Sequence, residues 1–397
     1  IFSRFLPGSD ISRINSACGH EVCVHRETAD IIRRSLYYRN ITEGFFDIAV
    51  GTCTLSHDMR SSYIPDPENQ SPLPFVPDED ILAELKTDLI RGRSDAKMNQ
   101  RACNSALQKY LMYGPEYVKR TTLDNKAVVS ATSEQLLGAL RDLTGTKYTI
   151  LYYGPASLEE LKSILDGHSA EGLEVVEKSH PKKLVTPAKK VLVAHYPARQ
   201  FNYVQYSDRG EEFSLEETPY IELFNEYYGG GMNAIVFQEM RESRALAYGA
   251  GAWLSEPAFK GDTYSFRAYI ASQNDKLEKA VRGFDEIIET LPEAPENLEI
   301  AKASILAKLR TQRVIGQSVL YSYLQAKEIG LKEPREKLIF EKVGDLEMQD
   351  LISTHKKWIA GRTYNYAILG DTKDIDMACL KTLGPVQTVS LEDIFGY

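Results

Sequence analysis

The chain has 397 residues, 43% of them apolar and 26% charged, a balance that supplies a packed core and sets it apart from disordered chains. Its 47 basic and 56 acidic residues leave a net charge of -9, which argues against a nucleic-acid partner, because neutralising phosphates takes a basic face. No apolar run approaches the roughly 20 residues of a membrane helix, so we expect a soluble protein, cytoplasmic or periplasmic, of two or three domains.

The chain opens at Ile1 with no initiator Met and no signal-peptide pattern, and reads as a fragment of a longer protein. Its five cysteines, Cys18, Cys23, Cys53, Cys103 and Cys379, are too few and too scattered for a disulfide framework. The first feature is CGHEVCVH, Cys18 to His25. His-Glu-x-x-His would need His at Val24, and on a strand Cys18 and His20 face away from Cys23 and His25. Four soft ligands so close together admit a zinc site, but the spacing matches no usual one, and semi-buried structural Cys and His is the plainer reading.

Residues 61–80 are Pro-rich. A helical stretch then runs from about Lys86 toward Gly114, and KYTILYYGP, ending at Gly154-Pro155, reads as a strand and Gly turn before a helix from Leu158 to Leu165. The charged, Pro-containing stretch from Glu177 to Lys190 is the expected domain boundary. Beyond it, Val191 to Tyr206 reads as strands, and a helix begins near Thr218-Pro219, Thr as cap and Pro in the first turn. DTYSFRAYI alternates as a strand does. Lys276 to Leu291 is an amphipathic helix with Leu277, Ala280, Val281, Phe284, Ile287, Ile288 and Leu291 on one face. A long helix follows Glu296, and TYNYAILGD closes the pattern as a strand ending at Gly370-Asp371, with a helix from Ile375 to Leu383.

Much of this happens twice. Gly154 and Gly370 are 216 positions apart, as are Lys86 and Lys302, and Gly114 and Gly330, each pair in a similar local context. The reading is of two related α+β domains, each a largely antiparallel sheet with helices packed on it, over residues 1–180 and 190–397.

The most informative string is FNEYYGGGMNAIVFQEMRESRALAY, Phe224 to Tyr248. An aromatic helix runs into Gly229, Gly230 and Gly231, which break it and let backbone pass close to something. Met232 to Met240 reads as another helix, with Ile235, Val236 and Met240 as core contacts. Arg241 and Tyr248 are seven residues apart, so they share a face of a continuous helix, or converge from a helix end and a strand if Gly249 and Gly251 end the helix early. Taken singly, a triple glycine is a turn, and Arg241 is a surface cation paired with Glu239 or Glu242.

Taken together, the string resembles the signature of the C-terminal half of the pitrilysin, insulin-degrading enzyme and mitochondrial processing peptidase family, the inverzincins. The matching residues are Gly229, Gly230, Gly231 and Met232, then Phe237, Gln238 and Glu239, then Arg241 and Tyr248. The resemblance is good over about residues 191–384, moderate over 104–165 and poor before Asn104. It implies a zinc metallopeptidase built of two halves that enclose a peptide chamber. The other half carries His-x-x-Glu-His, which supplies zinc ligands and a general-base Glu. None of the seven histidines here fits that spacing, so no metal ligand is assigned to this chain and the isolated chain is expected to be inactive. The partner half is part of the same polypeptide or a separate subunit. The resemblance gives this half Arg241 and Tyr248 as substrate and oxyanion positioners, and Gly229 to Gly231 as substrate-binding backbone. The other reading is a catalytically inactive structural or assembly subunit of the same fold.

Overall fold

The computed structural model describes residues 9–17, 21–41, 79–166, 175–176 and 180–397. The chain divides into two compact units, Ile1–Val76 and Pro77–Tyr397.

In the first unit, helix α1 (Asp10–Ser16) is capped by the Ser9 hydroxyl, which accepts from Ser12 N at 3.2 Å, and α2 spans Arg26–Ile41. Asp10 is buried at 1% exposure. Its Oδ2 accepts from the Thr28 hydroxyl at 2.6 Å and from the His25 backbone N–H at 2.8 Å, and lies 2.9 Å from His25 Nδ1. The Thr28 bond, against the cost of burial and with help from His25, holds the Asp10 carboxyl down at about 2. Of the Cys18–His25 cluster, Cys18 and His20 lie outside the described residues, Cys23 is an exposed free thiol, and His25 serves Asp10. The Pro-rich residues 61–78 also lie outside them.

The second unit opens with helices α3 (Glu79–Lys97), α4 (Gln100–Tyr113), α5 (Pro115–Thr121), α6 (Asn125–Ser130), α7 (Ser133–Thr144) and α8 (Leu158–Asp166). The helical stretch expected up to Gly114 is broken at Met98-Asn99, because the Asn99 side chain accepts from Ala102 N at 3.0 Å and starts α4 afresh. The strand expected at KYTILYYGP does not form. Residues 147–153 have no regular structure, and Tyr148, Ile150, Tyr152 and Tyr153 are exposed. A strand needs neighbours for its N–H and C=O groups, and no described strand lies beside this one.

Strands β1 (Lys190–His195), β2 (Gln200–Glu212), β3 (Gly249–Ser255), β4 (Thr263–Gln273), β5 (Asn365–Gly370) and β6 (Val386–Val389) form one sheet in the order β3-β4-β2-β5-β1-β6. The pairs β3–β4, β4–β2 and β2–β5 are antiparallel, and β1 runs parallel to both β5 and β6. Among the helices are α9 (Thr218–Tyr228), α10 (Leu277–Glu289), α11 (Pro295–Thr311), α12 (Ser318–Glu328), α13 (Arg335–Lys342), α14 (Met348–Trp358), α15 (Met377–Leu383) and α16 (Leu391–Phe395). The fold class is therefore α+β.

Helices α9, α10, α11 and α14 share a core with one face of the sheet, where β4 turns Tyr264, Phe266, Ala268 and Ile270 inward. All seven apolar positions of the stripe from Leu277 to Leu291 are buried there. On the opposite face, α4 packs Cys103, Leu107 and Leu111 over Leu192, Val204 and Leu369. Thr218 is no cap: its hydroxyl donates to Glu256 at 2.7 Å, and Pro219 alone marks the first turn of α9.

Moved forward by 216, the bounds of α3 and α4 become 295–313 and 316–329, against 295–311 and 318–328 for α11 and α12. Helix α7 moves to 349–360, against 348–358 for α14. We propose that residues 79–166 and 295–383 descend from one duplicated unit, within the two related domains 1–180 and 190–397.

Candidate functional site

Helix α9 sinks Ile221, Leu223, Phe224, Tyr227 and Tyr228 into the core. The two tyrosine hydroxyls donate to backbone carbonyls, Tyr227 to Pro292 at 2.7 Å and Tyr228 to Ile287 at 3.1 Å. Asn225 ties the same helix to β3, donating to Leu254 O at 2.9 Å and accepting from Leu254 N at 2.8 Å. That tie brings the end of α9 against the β3 backbone. A Cβ on Gly229 would stand 2.0 Å from Ala252 O, and one on Gly230 would stand 2.9 Å from Asn225 O. Gly231 faces open space. The close approach that the triple glycine allows is thus, at Gly229, an approach to the protein's own strand.

After the glycines the chain makes a short turn at Ile235–Phe237 and then a π-helical turn, Gln238–Ser243. Ile235, Val236 and Met240 are buried, as their spacing suggests. The helix does not continue to Tyr248. Met240 O accepts from both Leu246 N (3.0 Å) and Ala247 N (3.1 Å), which closes residues 241–246 into a loop. Ala245 takes the left-handed conformation at φ 49° to turn it. The Ser272 hydroxyl donates to Leu246 O, and Tyr248 N donates to Ala271 O at 3.0 Å, so the returning chain is tied to β4.

This loop decides where Arg241 and Tyr248 stand. Each is one residue beyond an end of the Ala247–Met240 hydrogen bond, so their backbones flank the mouth of the loop, one leaving the π-helical turn and one entering β3. Arg241 lies with its guanidinium 4.8 Å from the Phe237 ring centre and its Nε 3.5 Å from Glu242. Tyr248 is 82% exposed. Glu239, an alternative partner for Arg241 in the sequence, instead takes Arg244 at 3.2 Å, and Arg244 also reaches Glu286 at 2.6 Å. Partial burial works against the Arg244 charge, but Glu286 and then Glu239 outweigh it and raise its pKa. Arg244 therefore clamps the loop to α10, a role that sequence spacing does not show because Glu286 is 42 residues away.

Among the described residues, no group of three or more His, Cys, Asp or Glu is placed to hold a metal ion. The zinc implied by the resemblance does not fit the described part of this chain. No helix of the described residues is long and apolar enough to cross a membrane.

Residues 143–305 match the family model of the M16 peptidase inactive domain, a span that contains the glycines, Arg241 and Tyr248. Residues 1–101 match the model of the ApbE family, the stretch over which the peptidase resemblance is poor. An uncharacterized zinc protease of Rickettsia felis is 30% identical over 173 residues, and one of Rickettsia bellii 29% identical over 172, each match covering 39% of this chain and 39% of the relative. The chain thus matches well under half the length of these curated relatives. Among solved structures, the M16 peptidase inactive domain from Pseudomonas fluorescens has a TM-score of 0.55 at 17% identity, covering 75% of this chain and 71% of that one. A mutant of the ferredoxin protease FusC, solved with Arabidopsis ferredoxin, has a TM-score of 0.56 at 11% identity and covers 74% of this chain but 32% of its own. These structures share the fold.

Proposed function

We propose that this chain belongs to the M16 peptidase family, on the side of its inactive, zinc-less C-terminal half, and that it completes the peptide-hydrolysing site of a two-half zinc metallopeptidase. The zinc and its general base belong, in this reading, to a partner half with His-x-x-Glu-His, in the same polypeptide or a separate one. This chain supplies donors. Arg241 offers fixed, always-charged N–H groups, and the Tyr248 hydroxyl offers one more. Aimed at a peptide carbonyl, they hold the backbone and stabilise the oxyanion that forms on it. Gly231, open at the surface, leaves backbone free for a peptide to approach.

The observation that supports this reading is the loop held by Met240 O. It brings two residues seven apart to one mouth, with the tyrosine side chain in solvent and a neighbouring arginine clamp keeping the turn rigid. Preorganised donors of this kind are worth about 10²–10³ in turnover each.

The test is peptide hydrolysis by the assembled two-half protein with zinc, wild type against Arg241→Ala and Tyr248→Phe. We expect Arg241→Ala to lower kcat at least 100-fold with its melting temperature unchanged, since the side chain is half exposed and its ion pair weak. Unchanged kcat would leave Arg241 as a partner of Glu242 and Phe237 alone. An inactive wild-type assembly would favour the structural subunit.

A further inference from the structure

The proposed duplication at an offset of 216 presents one groove twice, and among the described residues one copy is filled and the other is open. The filled groove lies between the end of α3, α4 and α5. The tail Leu391–Tyr397 sits in it: Ile394 packs with Cys103, Leu107 and Leu111, Lys97 pairs with Glu392 at 3.0 Å, and the Arg93 guanidinium lies 4.4 Å from the Tyr397 ring centre. A Cβ on Gly396 would stand 2.7 Å from Val118. Moved by 216, Arg93, Cys103, Leu107, Tyr110, Leu111 and Val118 become Leu309, Val319, Tyr323, Ala326, Lys327 and Pro334. Those six residues line an open cavity of about 970 Å³ between α11, α12 and the start of α13.

The open copy is apolar and unpaired. Helix α12 buries none of its side chains, with Val319 42% and Tyr323 61% exposed, whereas α4 buries Cys103, Leu107 and Leu111. Among the described residues, no helix lies between α8 and β1, where the counterpart of α16 would fall. Its rim is basic at Lys327 and Lys332, while Glu333 is taken by Lys337 at 2.7 Å and Arg335 by Glu256 at 2.7 Å.

We propose that the groove along α12 is a docking site for a segment of a partner polypeptide with the chemistry of Leu391–Tyr397. That chemistry is one helical turn carrying aliphatic and aromatic side chains, with carboxylates beside them. The filled groove shows how such a segment is held: apolar side chains on the helix stripe, a carboxylate on a lysine and an aromatic ring under a cation. The open groove keeps two of the three stripe positions apolar, Val319 and Tyr323 for Cys103 and Leu107, and sets a lysine, Lys327, in place of Leu111, so its cations, Lys327 and Lys332, stand beside the stripe at positions other than those of Arg93 and Lys97. The chain's own tail is already seated on α4. This proposal stands on the duplication and does not depend on a catalytic role for Arg241.

The probe is a fluorescein-labelled peptide of residues 385–397, titrated onto the full chain by anisotropy. We expect saturable binding that weakens at least tenfold in Tyr323→Asp and in Lys327→Glu. Positions 323 and 327 are both exposed, so circular dichroism should show folding intact. Binding should be unchanged in Lys97→Ala, which touches only the filled groove. A dimer in light scattering that Tyr323→Asp dissolves would also support the site and name a second copy as the donor. Absence of saturable binding, equal affinity in Tyr323→Asp and Lys327→Glu, or loss of binding in Lys97→Ala would overturn it, the last because the peptide would then be exchanging with the tail on α4.

Discussion

Gly229 and Gly231 are two positions apart in one motif and answer to different demands. At Gly229 a methyl group would meet the Ala252 carbonyl, backbone that cannot swing aside, whereas at Gly231 it would meet nothing. Gly229→Ala should therefore cost about 1–3 kcal/mol, and Gly231→Ala close to nothing, read as the shift in denaturation midpoint. Ala245 is strained in the opposite sense, since a left-handed alanine costs roughly 1–2 kcal/mol. Ala245→Gly should be neutral or stabilising by up to about 1 kcal/mol once the added freedom of the unfolded glycine is set against that strain. In the first unit, Asp10 has a folded pKa of about 2 against an ordinary 3.8, so it stabilises the fold at pH above roughly 4 and loses that contribution as pH falls toward 2. Hydrogen-exchange protection, corrected for the intrinsic pH dependence of exchange, should fall over residues 9–17 and 21–35 across that window, and the step should vanish in Asp10→Asn. Thr28, the largest cause of the shift, is 18 residues from Asp10, which is why the sequence does not announce the pair.

At the scale of elements, periodicity served where a face is buried against one partner. The stripe of α10 was readable because all its apolar residues meet one sheet, and Phe284→Ala should cost about 3–5 kcal/mol in denaturant titrations, the range for a large buried aromatic. The segments KYTILYY and TYNYAILG carry the same alternation, yet only the second is a strand. β5 lies between β1 and β2 and has all its ladder partners, while residues 147–153 have none among the described strands. Strand propensity is a preference for a pleated surface, and the surface has to be supplied by neighbours. The loop at Met240 shows the same limit on a smaller scale. Spacing allowed Arg241 and Tyr248 either a shared helix face or a helix-end and strand arrangement, and the second was chosen by hydrogen bonds to a carbonyl and to β4.

At the scale of the whole molecule, the proposed duplication and the glycine-to-tyrosine string were read from residues alone, because they are local patterns repeated or juxtaposed along the chain. They carried the resemblance to the zinc-less half of such peptidases, and the model of the M16 peptidase inactive domain matches residues 143–305. The corollary for metal is testable: the purified chain should carry far less than one zinc per molecule by atomic emission, and the assembly with its partner half about one. One zinc per isolated chain would undo the two-half reading. What the sequence by itself determined was the α+β class, the amphipathic helices and the motif that carries the family, all set by short-range spacing and composition. The tertiary structure alone decided that Gly229 packs on Ala252, that Arg244 clamps the loop through Glu286, and that the tail packs on α4 while a cavity stays open along α12 among the described residues. Each of these joins residues tens to hundreds of positions apart, and the physical reason is the same: packing and hydrogen bonding act through space, where sequence spacing carries no signal.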